Sequence, residues 1–294
     1  MSTSRIKKVI LVTGASTGIG LALAKILIRD TQHHIVLCCR ESSLDRFEHE
    51  GINASSRLWL RVLDVTDFDR QQKIVDEINE VLGGVDILVN NAGVSFRSVI
   101  EDMTAENASE QFRVNFFGPM NLVRLVLPLM RKKHTGQIIN VSSVGGMMAM
   151  PTMGTYSASK FALEGASECL WYEMQPWNIS VNLIEPGFVN SNSFRHVKYT
   201  SKAAKSAADK ASPYYKYYYH MGRFVEKQMT RSWSTPESIA VKILKVINTQ
   251  SKTLRIPVTM DAWFFYFLRR VLPRWLYHKI LYHSLPYTHD RSKK

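Results

Sequence analysis

Short apolar segments alternate with helical segments over most of the chain. The apolar segments are KVILVTG, HHIVLCCR, LWLRVLDV, VDILVNNAG, GQIINVSS and ISVNLIEPG. Apolar runs of this length are typical of strands that are buried on both faces of a parallel sheet. The segments between them carry apolar residues at helical spacing, as in FDRQQKIVDEINEVL and in a long helix over about residues 108–133. This repeated order predicts an α/β fold, a doubly wound parallel sheet with helices on both faces.

The alternation also bounds the domain organisation. No linker rich in glycine, proline or serine divides the chain, and no internal repeat occurs, so we predict a single domain over residues 1–258. After Gly187 the alternation lapses until a helical pattern near residues 236–248. Residues 190–233 are therefore a candidate lid or binding segment. Residues 259–294 form an aromatic and basic C-terminal extension.

Composition narrows the class of protein further. Of the 294 residues, 45% are hydrophobic, which suits a globular core, and no apolar run is long enough to span a bilayer. Two lysines in the N-terminal MSTSRIKKVILVTG interrupt the apolar region that a secretory signal needs, so we expect a cytoplasmic location. The cysteines, of which Cys38 and Cys39 are adjacent, are expected to be reduced in a core strand. No metal site is predicted.

The formal net charge of +13 indicates two candidate classes of partner, because basic proteins are attracted to nucleic acids and to anionic membranes. The cluster YYKYYY could stack on bases, but no recognised nucleic-acid module occurs, so we predict no nucleic-acid partner. Much of the positive excess lies beyond residue 197. Lysines that are merely solvated on the surface are the alternative.

The C-terminal segment DAWFFYFLRRVLPRWLYHKILYHSLP combines aromatic and basic residues, and no acidic residue occurs between Asp261 and Asp290. Helices of this composition can lie at a membrane interface, so peripheral membrane contact through residues 262–287 is one expectation. The alternative is a helix pair that packs on the body of the protein or on a partner subunit, since apolar stripes usually mean burial.

The first apolar segment leads directly into TGASTGIG, and a helical pattern follows. Glycines at positions 14, 18 and 20 let the turn be tight, let backbone N–H groups approach a pyrophosphate, and let the helix pack close to the sheet. The spacing G-x-x-x-G-x-G departs from the common G-x-G-x-x-G fingerprint. Glycines that merely close a strand-to-helix turn are the alternative.

The end of the second predicted strand bears on the choice of dinucleotide. A protein that prefers NAD places an acidic residue there to bind the ribose hydroxyls, whereas this chain has Cys39 and then Arg40. The guanidinium of Arg40 suits a 2′-phosphate by its charge and its forked donors. NADP(H) is therefore preferred over NAD(H), and a solvated charge at the strand end is the alternative.

A tyrosine and a lysine lie four residues apart in YSASK, so Tyr156 and Lys160 share one face of a helix. TGASTGIG, NNAG at residues 90–93 and YSASK occur in an order and at separations that resemble the short-chain dehydrogenase/reductase family, over roughly residues 6–192. SVGGMMAMP, YSASKFALEG and TLRIPVT are similar to the branch that contains the 17-beta-hydroxysteroid and photoreceptor-type retinol dehydrogenases.

The resemblance implies a Rossmann-type fold, a homodimer or homotetramer, and NADP(H)-dependent hydride transfer to or from a carbonyl or alcohol. The substrate implied is hydrophobic, such as a steroid, a retinoid or another lipid-like molecule. An intact catalytic set argues against a cofactor-sensing binding protein without turnover. That protein and a reductase of a small non-lipid carbonyl remain the alternatives.

Four catalytic positions are implied by the resemblance. Tyr156 would be the general acid or base, and Lys160 would lower its pKa by positive charge and hold the nicotinamide ribose. Ser143 would bind the substrate oxygen, whereas the adjacent Ser142 should face the other side of its strand. Asn115 would support a water chain toward Lys160, and local hydrogen bonding of this helical asparagine is the alternative.

Further contacts with cofactor and substrate are implied residue by residue. The substrate pocket should be built by residues Gly145 to Thr155 and by the segment after Ser191. The methionines of the first segment either line this pocket or only fill the core. The family usually has threonine where Ser191 stands. The implied substrate contacts are Ser143, Gly145, Met150 and Tyr156. The implied cofactor contacts are Gly14, Ser16, Thr17, Gly18, Ile19, Gly20, Arg40, Asp64, Val65, Asn91, Ala92, Gly93, Tyr156, Lys160, Pro186, Gly187, Val189 and Ser191.

Overall fold

The computed structural model of this protein describes residues 7–191 and 197–286. Its main feature is a seven-stranded sheet in the order β3-β2-β1-β4-β6-β7-β9, and every neighbouring pair is parallel. A separate parallel pair is formed by β5 and β8. The strands are β1 Val9–Thr13, β2 His34–Cys39, β3 Leu58–Val62, β4 Ile87–Asn90, β5 Phe96–Arg97, β6 Gly136–Val141, β7 Ile179–Glu185, β8 Lys198–Tyr199 and β9 Arg255–Pro257.

Helices connect the strands and follow the last one. They are α1 Gly18–Asp30, α2 Asp45–His49, α3 Phe68–Leu82, α4 Ala105–Phe112, α5 Gly118–Lys133, α6 Gly154–Met174, α7 Ser201–Ala208, α8 Tyr215–Arg231, α9 Pro236–Thr249, α10 Met260–Val271 and α11 Arg274–Ser284. Local signals explain several boundaries. The Asp67 side chain accepts from the Arg70 N–H at the start of α3, and Gly83 ends this helix with φ +75°.

Alternate residues of β1 pack into two different cores. Ile10 and Val12 belong to a core with α1 and α9, whereas Val9 and Leu11 belong to a core with α3, α5 and α6. Helices therefore cover both faces of the sheet, which confirms the doubly wound fold predicted from the alternation. The adjacent cysteines of β2 are both buried, as expected, with their side chains in opposite cores.

The strand order reverses between β1 and β4, since β2 lies on one side of β1 and β4 lies on the other. In open α/β sheets, a ligand binds in the crevice outside the carboxyl ends of the strands at this position. TGASTGIG follows β1, NNAG begins within β4, and Ser143 follows β6. The fold thus brings these two motifs and Ser143 to one edge of the sheet.

Two parts of the chain differ from the sequence-based expectation. The helix predicted over about residues 108–133 is present, but it is not α-helical throughout, because a π-helical segment, Arg113–Phe117, lies between α4 and α5. Gly118 begins α5 against the backbone of Val65, where a β-carbon would lie 2.6 Å from the Val65 carbonyl oxygen. In the candidate lid, where no periodic pattern was recognised, the structure has α7 and α8.

The C-terminal extension folds back on the protein as the helix pair α10 and α11. Its inner face buries Ala262, Tyr277 and Leu281 against Val144 and the methionines that follow it. Packing on the body of the protein is therefore one role of this segment. In the part of the chain that the structure describes, no helix is long and apolar enough to cross a membrane.

Candidate active site

Two glycines of the turn after β1 are required by close backbone packing. Gly14 has φ +62°, and a β-carbon on it would lie 2.8 Å from the Cα atom of Ala92. A β-carbon on Gly20 would lie 2.2 Å from the Gly14 carbonyl oxygen. The turn therefore packs directly on NNAG and on the start of α1, and only glycine fits at these positions.

Hydrogen bonds fix the same two loops to each other. The Asn91 side-chain amide donates to the carbonyl oxygens of Thr13 and Gly14 at 3.1 and 3.0 Å. The Thr13 hydroxyl accepts from the backbone N–H groups of Asn91 and Ala92 at 3.1 and 3.2 Å. Asn91 thus holds the turn through its side chain, which the sequence alone did not indicate. Thr13 was missed because a buried strand threonine gives no separate signal.

The residues present fit a dinucleotide. Gly18 has φ +54°, and a β-carbon on it would meet no atom within 4 Å, so the turn leaves an open cradle at the N-terminus of α1. Such a cradle suits a pyrophosphate. Ser16 is buried beside it, and Thr17 is the exposed residue before α1.

The adenosine end of the predicted cofactor site lies at β2 and β3. Arg40 is exposed immediately after β2, so its guanidinium is accessible to a ligand. Asp64 is also exposed, but its carboxylate accepts from the backbone N–H and the hydroxyl of Thr66, each at 2.8 Å. Val65 is buried. Among these three residues, Arg40 is the one with a positively charged side chain, and no ion pair is described for it.

The two serines after β6 point to different sides, as the strand alternation predicts. The Ser142 hydroxyl donates to Glu164 Oε1 at 2.8 Å in a buried position. The Ser143 hydroxyl lies beside Tyr156 and accepts from the Gly145 N–H at 3.0 Å. A β-carbon on Gly145 would lie 2.9 Å from the Tyr156 ring. Ser143, Gly145 and Tyr156 therefore form one contiguous group.

Asn115, Lys160 and Gly93 are neighbours in the structure. A β-carbon on Gly93 would lie 3.5 Å from Asn115 Oδ1 and 3.9 Å from Lys160 Nζ. Asn115 lies in the π-helical segment, where it accepts from the Val94 N–H and donates to the Val94 carbonyl and to the Ser159 hydroxyl. These bonds cross to other elements, so the alternative of local helical bonding is wrong. π-Helical segments frequently occur at functional sites.

Burial sets the protonation of the catalytic pair. It raises the pKa of Tyr156 above its ordinary value, and the Ser143 hydroxyl lowers this pKa in part. Burial lowers the pKa of Lys160 to about 8, and the carboxylate of Glu164 opposes that shift. The structure does not support the expectation that the charge of Lys160 lowers the pKa of Tyr156. The ammonium donates to the Val141 carbonyl at 2.9 Å and lies 6.0 Å from the centre of the tyrosine ring.

A buried charge cluster lies behind the catalytic helix, and we did not predict it from the sequence. Arg255 pairs with Glu164 and Glu168 of α6 and with Glu185, the last residue of β7. Burial and, to a smaller extent, the neighbouring Glu164 raise the pKa of Glu185 to about 8, and the charge of Arg255 opposes them. The one available signal was the spacing of Lys160, Glu164 and Glu168, which places them on one face of α6.

The loop after β7 is tied to both the catalytic strand and the C-terminal helices. The Pro186 carbonyl accepts from the Val144 N–H at 2.7 Å. The Thr259 hydroxyl and the Asp261 carboxylate accept from the N–H groups of Gly187 and Phe188 at 2.9 and 2.8 Å. This loop also holds the predicted contacts Val189, which is buried, and Ser191.

Met150 is one of the predicted substrate contacts. It packs against the apolar cluster of Val144, Met147 and Met148 that the C-terminal helices cover. The core-filling alternative thus holds for Met147 and Met148, which are almost fully buried. Met150 is only partly buried, and its contact with a substrate stays a prediction.

Comparison with known proteins gives consistent matches. The short chain dehydrogenase family model matches residues 8–202. The 3-ketodihydrosphingosine reductase of Bacteroides thetaiotaomicron is 36% identical over 251 residues, which cover 85% of this chain and 87% of the relative. Dehydrogenase/reductase SDR family member 7B of Xenopus laevis is 29% identical over 255 residues, which cover 84% of this chain and 73% of the relative.

Solved structures show the same fold. The crystal structure of a short-chain dehydrogenase from Streptomyces avermitilis has a TM-score of 0.73 and 30% identity, and the match covers 90% of this chain and 92% of that one. A Burkholderia phymatum short chain dehydrogenase/reductase in complex with NAD has a TM-score of 0.75 at 24% identity, over 90% and 93% of the two chains. Since the matched region spans the turn after β1 and the helix with Tyr156 and Lys160, the chain belongs to the short chain dehydrogenase family of NAD(P)-dependent oxidoreductases.

Proposed function

We propose that this protein uses NADPH to reduce a ketone or aldehyde on a hydrophobic, lipid-like substrate. The observation that carries the proposal is the group formed by Ser143, Tyr156 and Lys160 beside Asn115. Burial keeps the phenol of Tyr156 protonated at neutral pH, which is the form that a general acid needs for carbonyl reduction.

Each residue then has a defined role. The Tyr156 hydroxyl donates a proton to the carbonyl oxygen of the substrate, and the Ser143 hydroxyl orients that oxygen by a second hydrogen bond. Lys160, whose ammonium is held at the Val141 carbonyl, would bind the nicotinamide ribose, and Asn115 fixes the Val94 backbone beside it. A nicotinamide cofactor held by the turn after β1 and by Lys160 would supply the hydride.

The preference for NADPH rests on Arg40. It is exposed at the end of β2, where the 2′-phosphate of the cofactor would lie, and its guanidinium can bind a phosphate in a bidentate manner. Arg40→Asp should lower the ratio of kcat/KM for NADPH to that for NADH by about 10-fold or more. Lys73→Glu, a charge reversal on the exposed side of α3, is the control and should leave the ratio unchanged. An unaltered ratio in Arg40→Asp would remove the basis for NADPH preference.

The hydrophobic substrate is supported by the apolar environment after Ser143. The catalytic strand leads into Val144, Met147 and Met148, and the C-terminal helices extend this apolar region. A similar protein is named 3-ketodihydrosphingosine reductase, which indicates a ketone on a long-chain lipid as the substrate of that relative. NADPH oxidation measured with a series of ketones of increasing chain length tests the proposal. Turnover should rise with chain length, and equal or better turnover of acetone-sized ketones would favour the small-carbonyl alternative.

We also propose that the outer face of α10 and α11 contacts an anionic membrane. Five apolar side chains on this face are between 57% and 68% exposed: Trp263, Phe264, Phe267, Val271 and Trp275. Arg270, Arg274 and Lys279 are exposed on the same two helices, and residues 262–286 contain no acidic residue. Aromatic and basic side chains together bind the interface of an anionic bilayer.

Sedimentation with phosphatidylcholine vesicles, with and without phosphatidylserine, tests the membrane contact. The protein should bind the vesicles that contain phosphatidylserine, and the triple variant Trp263→Ser, Phe267→Ser, Trp275→Ser should lose this binding while keeping its NADPH turnover. Val81→Ser, which removes another exposed apolar side chain on α3, is the control. Equal binding by the triple variant would overturn this role of the C-terminal helices.

A further inference from the structure

Arg97, the last residue of β5, is a buried arginine that has no ion pair with any residue that the structure describes. The residue is only 7% exposed, and its Nε atom is buried with no hydrogen-bond partner. Among residues 7–191 and 197–286, no carboxylate pairs with its guanidinium. A buried charge is costly unless it is paired and hydrogen-bonded, so this position calls for a ligand of opposite charge.

Other unpaired polar atoms lie around Arg97. Ser95 precedes it by two residues in an extended segment, which places both side chains on the same side, and the Ser95 hydroxyl is also buried without a partner. Thr152 lies across from this segment, because its carbonyl accepts from the Ser98 N–H at 2.8 Å. The hydroxyl of Thr152 is buried and unpaired, and its backbone has φ +68°. Three buried and unpaired donors thus belong to two adjoining backbone segments.

The candidate lid helix α8 covers Arg97 and leaves room for its guanidinium. A β-carbon on Gly222 of α8 would lie 3.3 Å from Arg97 Nη1. Glycine inside a helix lowers stability by about 0.5 to 1 kcal/mol relative to alanine, so its presence here has a local reason. The nearby Asp102 already accepts from the Tyr218 hydroxyl at 2.8 Å, and Glu101 accepts from Tyr214. The tyrosines of this region thus donate hydrogen bonds to the neighbouring acidic side chains, Asp102 and Glu101.

Arg97 is placed so that it could contact the end of a substrate that is remote from the reacting carbonyl. Val94 is hydrogen-bonded to Asn115 through both its N–H and its carbonyl, each at 2.9 Å. Arg97 follows Val94 by three residues, a span of at most about 10 Å in extended chain. On the other side, Thr152 precedes Tyr156 by four residues. An extended lipid can bridge such a separation.

We propose that Arg97, together with Ser95 and Thr152, binds an anionic group, a carboxylate or a phosphate monoester, on the substrate. The planar guanidinium can donate two parallel hydrogen bonds to either group, and the two hydroxyls can donate to the remaining oxygens. This inference rests on the proposed function, because it specifies which lipid-like ketones the protein reduces. Acidic lipid ketones bind with the charged end beneath α8 and the carbonyl at Tyr156.

An oxo fatty acid and its methyl ester form the matched pair of probes, since they differ in the charged group alone. The wild-type protein should favour the acid, and Arg97→Met should lower the acid-to-ester ratio of kcat/KM by about 10- to 100-fold, mainly through KM for the acid. Arg97→Lys should retain part of the preference. Gly222→Leu crowds the guanidinium from the lid and should lower the same ratio with Arg97 still present.

Inhibition by inorganic phosphate and by acetate separates the two anion classes, because the better competitor against the oxo acid identifies the preferred group. An unchanged acid-to-ester ratio in Arg97→Met, with folding verified by its melting temperature, would overturn the site. If the wild-type protein turns over neither probe, the proposed function fails for this substrate class. Tryptophan fluorescence titration of the NADPH-loaded protein with the acid and the ester then tests Arg97 independently. Equal affinities for the acid and the ester in that titration would also overturn the site.

Discussion

The cofactor region and the substrate region of this protein are held in different ways. Around the turn after β1, backbone atoms pack so closely that Gly14 and Gly20 admit no side chain, and Asn91 closes the contact with hydrogen bonds to main-chain oxygens. In the region of α8, α10 and α11, single side chains make the contacts and many aromatic residues remain exposed.

The cofactor region is expected to be shared by the members of the family, whereas the substrate region is expected to differ between members that act on different substrates. A dinucleotide has one shape, so backbone geometry can specify its site. Substrates vary, and the side chains of the later helices can change without disturbing the sheet. Substitutions in the first region should therefore remove cofactor binding, whereas those in the second should alter substrate preference and leave the fold intact.

Gly14→Ala should have the largest effect. A methyl group would meet Ala92 at 2.8 Å, and φ +62° is strained for alanine, so the turn must shift away from NNAG. We expect a loss of NADPH affinity of about 100-fold or more and a loss of stability of roughly 2 to 4 kcal/mol. Calorimetric titration with NADPH and urea unfolding measure the two effects.

Gly51→Ala is the matched control, because Gly51 has φ +68° but no atom within 4 Å of the added methyl group. It should cost only about 1 to 2 kcal/mol of backbone strain and leave NADPH affinity unchanged. If Gly14→Ala also kept its NADPH affinity, the close packing of the turn on NNAG would have no bearing on cofactor binding.

Arg255→Met should destabilise the junction between the two regions. It would leave Glu185, which is fully buried, and Glu164, which is nearly so, without their common cation. Breaking a buried pair costs about 3 to 5 kcal/mol. Arg61→Met breaks a more exposed pair with Glu77 and should cost about 1 kcal/mol or less. Equal losses in urea unfolding would show that the buried cluster has no special weight.

Glu185 should make stability depend on pH. Burial raises its pKa from 4.5 to about 8, so the folded state holds a proton that the unfolded state releases between these values. The contribution of this group to the unfolding free energy is therefore fully present below about pH 4.5 and declines as the pH rises to about 8. Glu185→Gln should remove this decline, and the difference between the two pH profiles is the readout. Parallel profiles would contradict the shifted pKa.

Glu164→Gln should have the smallest effect, a shift in the pH dependence of reduction. The charge of Glu164 opposes the burial that lowers the pKa of Lys160 to about 8. Without this charge, Lys160 should lose its proton at a lower pH, and the alkaline limb of kcat/KM should move in the same direction. The matched variant Glu168→Gln, on the exposed side of the cluster, should leave the limb in place.

The sequence predicted most of the cofactor region and much less of the substrate region. The buried strands and the glycine turn depend on local patterns, so they were predictable. Strand alternation predicted only that Ser142 and Ser143 face different sides, and the resemblance to the family selected Ser143 and NNAG. The Arg255 cluster joins residues that are 70 to 91 positions apart, and no local pattern connects them. The same holds for the contact of Asp261 with Phe188 and for Gly222 above Arg97.

The π-helical segment and the two lid helices were missed for related reasons. Asn115 lies in a helical pattern whose apolar spacing does not reveal the extra residue in the turn. Helices α7 and α8 are rich in lysine and tyrosine, and they bury only Ala203, Tyr218, Met221 and Val225. Their few strongly apolar residues left the helical spacing unrecognised in the sequence.

The proton transfer from Tyr156 is tested most directly by a single-turnover measurement of NADPH oxidation with a long-chain ketone, in the wild-type protein and in Tyr156→Phe. The variant loses only the hydroxyl, so NADPH affinity should stay close to that of the wild-type protein while the rate of hydride transfer falls by about 100- to 10,000-fold. A Tyr156→Phe protein that oxidises NADPH at the wild-type rate would contradict the proposed role of Tyr156 as the proton donor.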